Sequence, residues 1–178
     1  SLHAAVSGGY KILPVFIWNP EEGGQWSPGS ASRWWIHHAL KSLGTDIRKL
    51  GGELILAKGK AGELIPQIAK DHGAERVFYG RTYDPPGLST QEKVEDALDR
   101  AGIDAESFNA SLLQEPWETK NGSGNPFQVF TPYWRNAERF YLDKIPSIEK
   151  KISKCKKKIK FFKKTINEKE IFPNDNWF

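Results

Sequence analysis

Short apolar runs alternate along the first part of the chain with stretches whose apolar residues return every three or four positions, and this alternation constrains the fold more than any other feature. Lys11 to Trp18 (KILPVFIW) is nearly continuous in apolar residues, the pattern of a strand covered on both faces. Pro14 opposes a regular central strand there, because it has no N–H for the ladder. From Ser30 the period changes: Ile36, Leu40, Leu43, Ile47 and Leu50 fall on one helical stripe, with Ser30 or Ser32 as N-cap and Gly51-Gly52 as the stop. Glu53 to Ala57 reads as a second strand. Ala61 to His72 reads as a helix burying Leu64, Ile65, Ile68 and Ala69, with Pro66 near its first turn and Gly73 closing it. Arg76 to Tyr79 is a third strand, Gly80 to Gly87 a turn-rich stretch, Ser89 to Ala101 a helix with Val94, Ala97 and Leu98 inward, and Ile103 to Phe108 a last strand. Strands and helices alternating with short connections predict an α/β fold: a doubly wound, mostly parallel, Rossmann-like sheet with right-handed crossovers.

The pattern stops after Phe108. Glu115 to Asn125 is a polar loop, and Phe127, Val129, Phe130, Tyr133 and Trp134 form an aromatic cluster expected to pack against the domain edge, with a base-stacking platform as the sharper alternative. The predicted organisation is an α/β domain over 1–143 and a Lys-rich, partly helical linker over 144–178. Charge divides at the same place. The linker holds eleven lysines against four acids, net +7, whereas 1–143 carries fifteen basic and eighteen acidic residues, net −3. Basicity belongs to the tail, so the domain as a whole does not read as a nucleic-acid binder. One cysteine, Cys155, excludes an internal disulfide and a Cys-based zinc cluster. With 178 residues a core is affordable without such staples. No apolar run reaches the roughly 18 residues of a membrane span, and the composition predicts a soluble, cytoplasmic protein.

Motifs for chemistry are sparse. There is no G-x-S-x-G elbow, no P-loop and no G-x-G-x-x-G. His37 and His38 are adjacent, so on a helix they point about 100° apart and do not share a metal. No catalytic or metal-ligating residue is assigned. In an open α/β sheet ligands sit beyond the carboxyl ends of the strands, which selects Asn19 to Ser30 and Gly80 to Gly87.

Four segments take the reading further: KILPVFIWNP, SPGSASRWWIHHALKSLG, RVFYGRTYDPPG and FNASLLQEPWETKNGSGNPFQVFTPYWR. Together they resemble the N-terminal α/β domain of the photolyase and cryptochrome family in its bacterial class I form, over about Ser1 to Arg139. The last segment, with EPW, GSG and VFTPYW in that order, is the most specific. The resemblance implies a parent enzyme, a deoxyribodipyrimidine photo-lyase, in which light-excited reduced FAD donates an electron to a cyclobutane pyrimidine dimer in DNA. In the family the FAD and lesion pocket belong to a helical domain that follows the α/β domain, so FAD and dimer-containing DNA are expected to engage residues outside this chain. Phe172 to Phe178 (FPNDNWF) resembles the linker before that domain. Ser1 to Ala5 resembles the end of the family's first helix, and the chain contains no Met; a fragment lacking the first, central strand is expected. The complete protein is expected to be a monomer with no membrane partner.

The family's α/β domain carries an antenna chromophore: a folate, deazaflavin or flavin. Gly24-Gln25-Trp26 and Pro86-Gly87 stand where folate binders place a histidine and an Asn-Glu pair, and Gly80 replaces an asparagine common after the third strand, so antenna identity stays open. Pocket candidates by position are Trp26, Arg33, Tyr83 and Asp84, against plain structural roles: cover for a helix start, a carboxylate pair, a turn. A cryptochrome-like light receptor and a stand-alone nucleotide-binding module are the competing readings.

Overall fold

The computed structural model describes residues 1–144 and 160–161. The chain begins with helix α1 (Leu2–Ser7), then strands β1 (Lys11–Ile12) and β2 (Val15–Trp18), a single 3-10 turn (Gly24–Trp26) and the long helix α2 (Ser30–Lys49). The continuous apolar run is thus two strands. Pro14 interrupts it, as a residue without an N–H must, while its carbonyl still accepts from Ile55 N at 2.8 Å. There follow β3 (Ile55–Lys58), α3 (Ala61–Asp71), β4 (Arg76–Gly80), α4 (Pro85–Arg100), β5 (Asp104–Phe108), α5 (Phe130–Lys144) and β6 (Lys160–Phe161). The expected partly helical linker otherwise lies outside the described residues.

Among the described residues every strand pairing is parallel. Val15 to Trp18 lie opposite Ile55 to Lys58, and Arg76 to Gly80 opposite Asp104 to Phe108; Lys11 and Ile12 face Lys160 and Phe161. Among the described residues these are three separate two-stranded pairs. The helices hold two of them in one layer. α3 and α4 pack on each other around Ala61, Ala69, Val94, Leu98 and Ile103, and both Ile17 of β2 and Val77 of β4 lie against that cluster. A second cluster joins Ala5 and Val6 of α1 and Ile12 of β1 to Phe78 of β4. β-α-β order, parallel strands and helices packed on their face make a Rossmann-like α/β fold.

Helix boundaries depart from the sequence reading in three places. α4 starts at Pro85, four residues before the expected Ser89, because Pro85 and Pro86 occupy its first two positions, where a missing N–H costs nothing. α2 is capped by Gly29 in extended conformation, with Ser30 already its first residue and no side-chain cap. Pro66 is the sixth residue of α3, inside the helix rather than in its first turn. The stops hold: Gly73 and Gly102 adopt φ of +61° and +68°, the left-handed region that a Cβ disfavours. After the first of these, Ala74 N reaches Ala69 O at 2.8 Å.

The stripe expected to bury α2 does not do so. Ile36, Leu40 and Ile47 are half-buried, Leu43 and Leu50 are exposed, and Gly44 alone in the helix is buried. A helix of this kind buries its stripe against a continuous sheet face, and the separated pairs β2–β3 and β4–β5 offer none. The aromatic cluster is corrected likewise. Val129 and Phe130 are 63% and 70% exposed, and Phe130 stacks on Trp134 at 6.3 Å rather than on the domain edge.

Candidate functional site

β4 and β5 end side by side, and the loops beyond their carboxyl ends meet. Arg81, the first residue past β4, extends the ladder through its N–H to Phe108 O at 2.8 Å. That register aims its side chain across β5. Its guanidinium donates to Ser107 Oγ (2.9 Å) and Ser107 O (3.1 Å), and it pairs with Glu115 Oε1. Tyr83 Oη donates to the other carboxylate oxygen of Glu115 at 2.7 Å. Glu115 is buried, and both of its oxygens are engaged by donors, as a buried carboxylate requires.

The Glu-Pro-Trp sequence then turns Trp117 back over the same groups. Its ring centroid lies 5.2 Å from the Arg81 guanidinium carbon and 6.3 Å from the Tyr83 ring, in range of a cation–π contact. Trp117 remains 53% exposed, so much of the indole is open to a ligand. Local turns fix both loops. Asn109 Oδ1 accepts from Leu112 N at 2.9 Å, and Asn121 Oδ1 from Ser123 N and Asn125 N at 2.9 and 3.0 Å. Gly80 is required because a Cβ there would stand 2.7 Å from Ala110 Cβ. Two buried hydroxyls on these loops, Thr82 Oγ1 and Thr119 Oγ1, have no hydrogen-bond partner among the described residues.

Burial, with the hydrogen bond to Glu115 adding to it, raises the pKa of Tyr83, and Arg81 partly offsets the rise. Tyr79, on β4, is pushed up to about 12 by burial and by its hydrogen bond to Glu95. Both phenols are neutral donors at physiological pH. The arrangement is a rigid, charge-paired wall with an aromatic face: equipment for binding a planar polar molecule rather than for acid–base turnover. Among the described residues no cluster of His, Cys, Asp or Glu could hold a metal ion.

The four positions singled out in the sequence fare differently. Tyr83 is in the wall. Asp84 sits beside it as the N-cap of α4, its carboxylate accepting from Gly87 N at 2.9 Å, so its structural role is the one it fills. Arg33 is exposed in the first turn of α2, its backbone N–H on Gly29 O at 2.9 Å, and it makes no ion pair among the described residues. Trp26 ends the 3-10 turn after β2. Sequence reasoning did not single out Arg81, Glu115 and Trp117 as site residues, although two of them lie in the EPW signature and the third directly follows a strand.

Comparison with known proteins settles the family. The sequence profile of the family described as DNA photolyase matches residues 1–150. The chain belongs to that family. It is 37% identical over 138 residues to the deoxyribodipyrimidine photo-lyase of Agrobacterium fabrum, a match covering 78% of this chain and 28% of that protein. To a cryptochrome of Arabidopsis thaliana, Cryptochrome-1, it is 38% identical over 139 residues, 77% of this chain and 20% of the other. The solved structure of a bacterial class III photolyase from Agrobacterium tumefaciens superposes with a TM-score of 0.69 at 37% identity, over 77% of this chain and 28% of that one. That photolyase is of class III, whereas the loop resemblance points to class I; family membership is common to both. The chain spans under a third of the length of each of these relatives.

Proposed function

We propose that this chain is the antenna-side α/β domain of a light-dependent DNA-repair enzyme, a deoxyribodipyrimidine photo-lyase. In that enzyme reduced FAD, held outside residues 1–178, splits cyclobutane pyrimidine dimers. The observation that carries the reading is the 37% identity to a photo-lyase over 138 residues, running through the loops that build the wall beyond β4 and β5. When bound, an antenna chromophore absorbs light and passes energy to the flavin. This chain would hold it by stacking on the open part of Trp117, with the neutral Tyr83 hydroxyl and the Arg81–Glu115 pair fixing the ring's bed. The free hydroxyls of Thr82 and Thr119 are the donors left for its polar edge. Asp84 borders this site as the cap of α4, its carboxylate accepting from Gly87 N.

A light-receptor role has its own support in the 38% identity to a plant cryptochrome. One experiment separates the readings. Chain 1–178 and the longer polypeptide that contains it are each purified, illuminated with dimer-containing DNA and assayed for dimer loss. The repair reading expects loss only with the longer protein and only in light. Repair by 1–178 alone overturns the placement of FAD outside it, and absence of repair by the longer, flavin-loaded protein favours the receptor.

A further inference from the structure

The sequence has one Asn-Gly pair, Asn121-Gly122, and the loop that carries it prepares the asparagine side chain for attack by the backbone. Asn121 Oδ1 accepts from Ser123 N at 2.9 Å and from Asn125 N at 3.0 Å. Two backbone donors on one amide oxygen draw charge from Cγ and stabilise the oxyanion that forms when a nucleophile adds there. The nucleophile next in the chain is Gly122 N, which meets no acceptor among the described residues. A Cβ on Gly122 would find nothing within 4 Å, so that flank of the nitrogen is open. Asn121 Nδ2 makes no hydrogen bond among the described residues, and nothing there retains it as a leaving group. Gly122 to Asn125 are exposed, which admits water to the site.

Asn109 supplies the contrast. Its Oδ1 also accepts from two backbone N–H groups, Ser111 N at 3.3 Å and Leu112 N at 2.9 Å. Its Nδ2, however, donates to Leu112 O at 2.8 Å, and the residue that follows is Ala110, whose Cβ crowds the attacking nitrogen. Asn19 and Asn125 precede prolines, which have no N–H, and Asn136 lies inside α5, where the backbone N–H groups are held by the helix ladder.

We infer that Asn121 is a modification site, at which the folded loop promotes hydrolytic loss of the side-chain amide. Gly122 N gives its proton to water and bonds to Cγ; the Cγ–Nδ2 bond breaks and ammonia departs, leaving a five-membered succinimide. One water then opens either carbonyl of that ring, giving aspartate or the β-linked isoaspartate, with no change of oxidation state. Both products add one negative charge. The β-linked form also lengthens the backbone by one atom where Asn121 N donates to Asn125 O (2.8 Å) and Asn121 O accepts from Gly124 N (2.9 Å), so the closure of the loop is lost. Trp117 stands on the same Glu115 to Asn125 stretch. The inference stands on the loop's own geometry and does not rest on the repair reading.

Incubating the full chain at neutral pH, folded and in guanidinium chloride, with peptide mapping by mass spectrometry at intervals, tests it. Conversion is expected at Asn121 alone among the described asparagines, split between aspartate and isoaspartate, and faster by about tenfold in the folded chain than in the unfolded one. Equal or slower conversion in the folded chain overturns the inference. Gly122→Ala enters open space outside the left-handed region, so the variant folds, and its conversion should fall by about tenfold; an undiminished rate counts against attack by this nitrogen and also overturns it. Ala110→Gly separates the loop from the dipeptide. Asn109 should stay intact in that folded variant, because its Nδ2 is held by Leu112 O; conversion there at the rate of Asn121 would show that a following glycine alone decides, and would overturn the part given to the loop.

Discussion

Glu115 and Tyr79 show how single residues in this fold do work that their neighbours in sequence do not reveal. Glu115 looks like one more acid in a polar loop, yet it is the buried point on which Arg81 and Tyr83 converge from the other strand end. Tyr79 reads as the last apolar residue of a strand, but its hydroxyl is partly buried and donates to Glu95 of α4. Its pKa of about 12 in the folded chain exceeds the value of about 10 expected when unfolded, so folding favours the neutral phenol. The resulting stability is complete below pH ~10 and is lost as pH rises toward ~12. Tyr79→Phe should cost about 0.5–1 kcal/mol at neutral pH, the low end for a hydrogen bond because the site is only half-buried. The ultraviolet titration of the variant should also lose part of its late phenolate rise above pH ~11. An unchanged titration curve would mean that another tyrosine ionises late.

At the scale of elements, the start of α4 ties fold to site. Asp84 caps the helix through Gly87 N, and the two prolines that follow stiffen the first turn. Gly87 has no alternative there, since a Cβ would come within 2.7 Å of Asp84 Oδ1 and 2.8 Å of Thr82 Cβ. The same turn anchors Tyr83 against Glu115. Asp84→Ala should therefore destabilise the chain by about 1 kcal/mol, while Asp84→Asn, which keeps a capping oxygen, should retain most of that stability. Thermal melting of the two variants beside the wild type measures this. Equal melting temperatures for both substitutions would mean that the cap contributes nothing. The strand at Lys11 to Trp18 makes the complementary point: composition marks it as a buried strand, and one proline divides it between two partners.

For the whole molecule, charge is the property that segregates most cleanly. The net +7 of residues 144–178 faces a net −3 in the remainder, so any affinity of this chain for nucleic acid should come from phosphate neutralisation by the tail. On duplex DNA the log affinity should fall against log salt with a slope of about −0.9 per phosphate contact, without preference for damaged over undamaged strands. A chain ending at Asp143 should lose the binding. A titration at two salt concentrations with both duplexes checks this; lesion preference, or full binding by the shortened chain, would redirect attention to the aromatic cluster at Phe127 to Trp134.

The sequence by itself determined the alternation of strands and helices, their glycine stops at Gly73 and Gly102, the parallel sense of the sheet and, through the EPW and VFTPYW segments, the family. These are local or near-local properties: periodicity, backbone freedom at glycine, and motifs with fixed spacing. Only the tertiary structure decided that Ile36 to Leu50 would leave its stripe half-open, and that Arg81, Tyr83, Glu115 and Trp117 form one wall. The members of that wall come from loops 34 residues apart, and no periodicity reports on a distance across the fold. Their meeting depends on the register of β4 against β5, a choice made by packing on α3 and α4 and therefore visible only once the chain has folded.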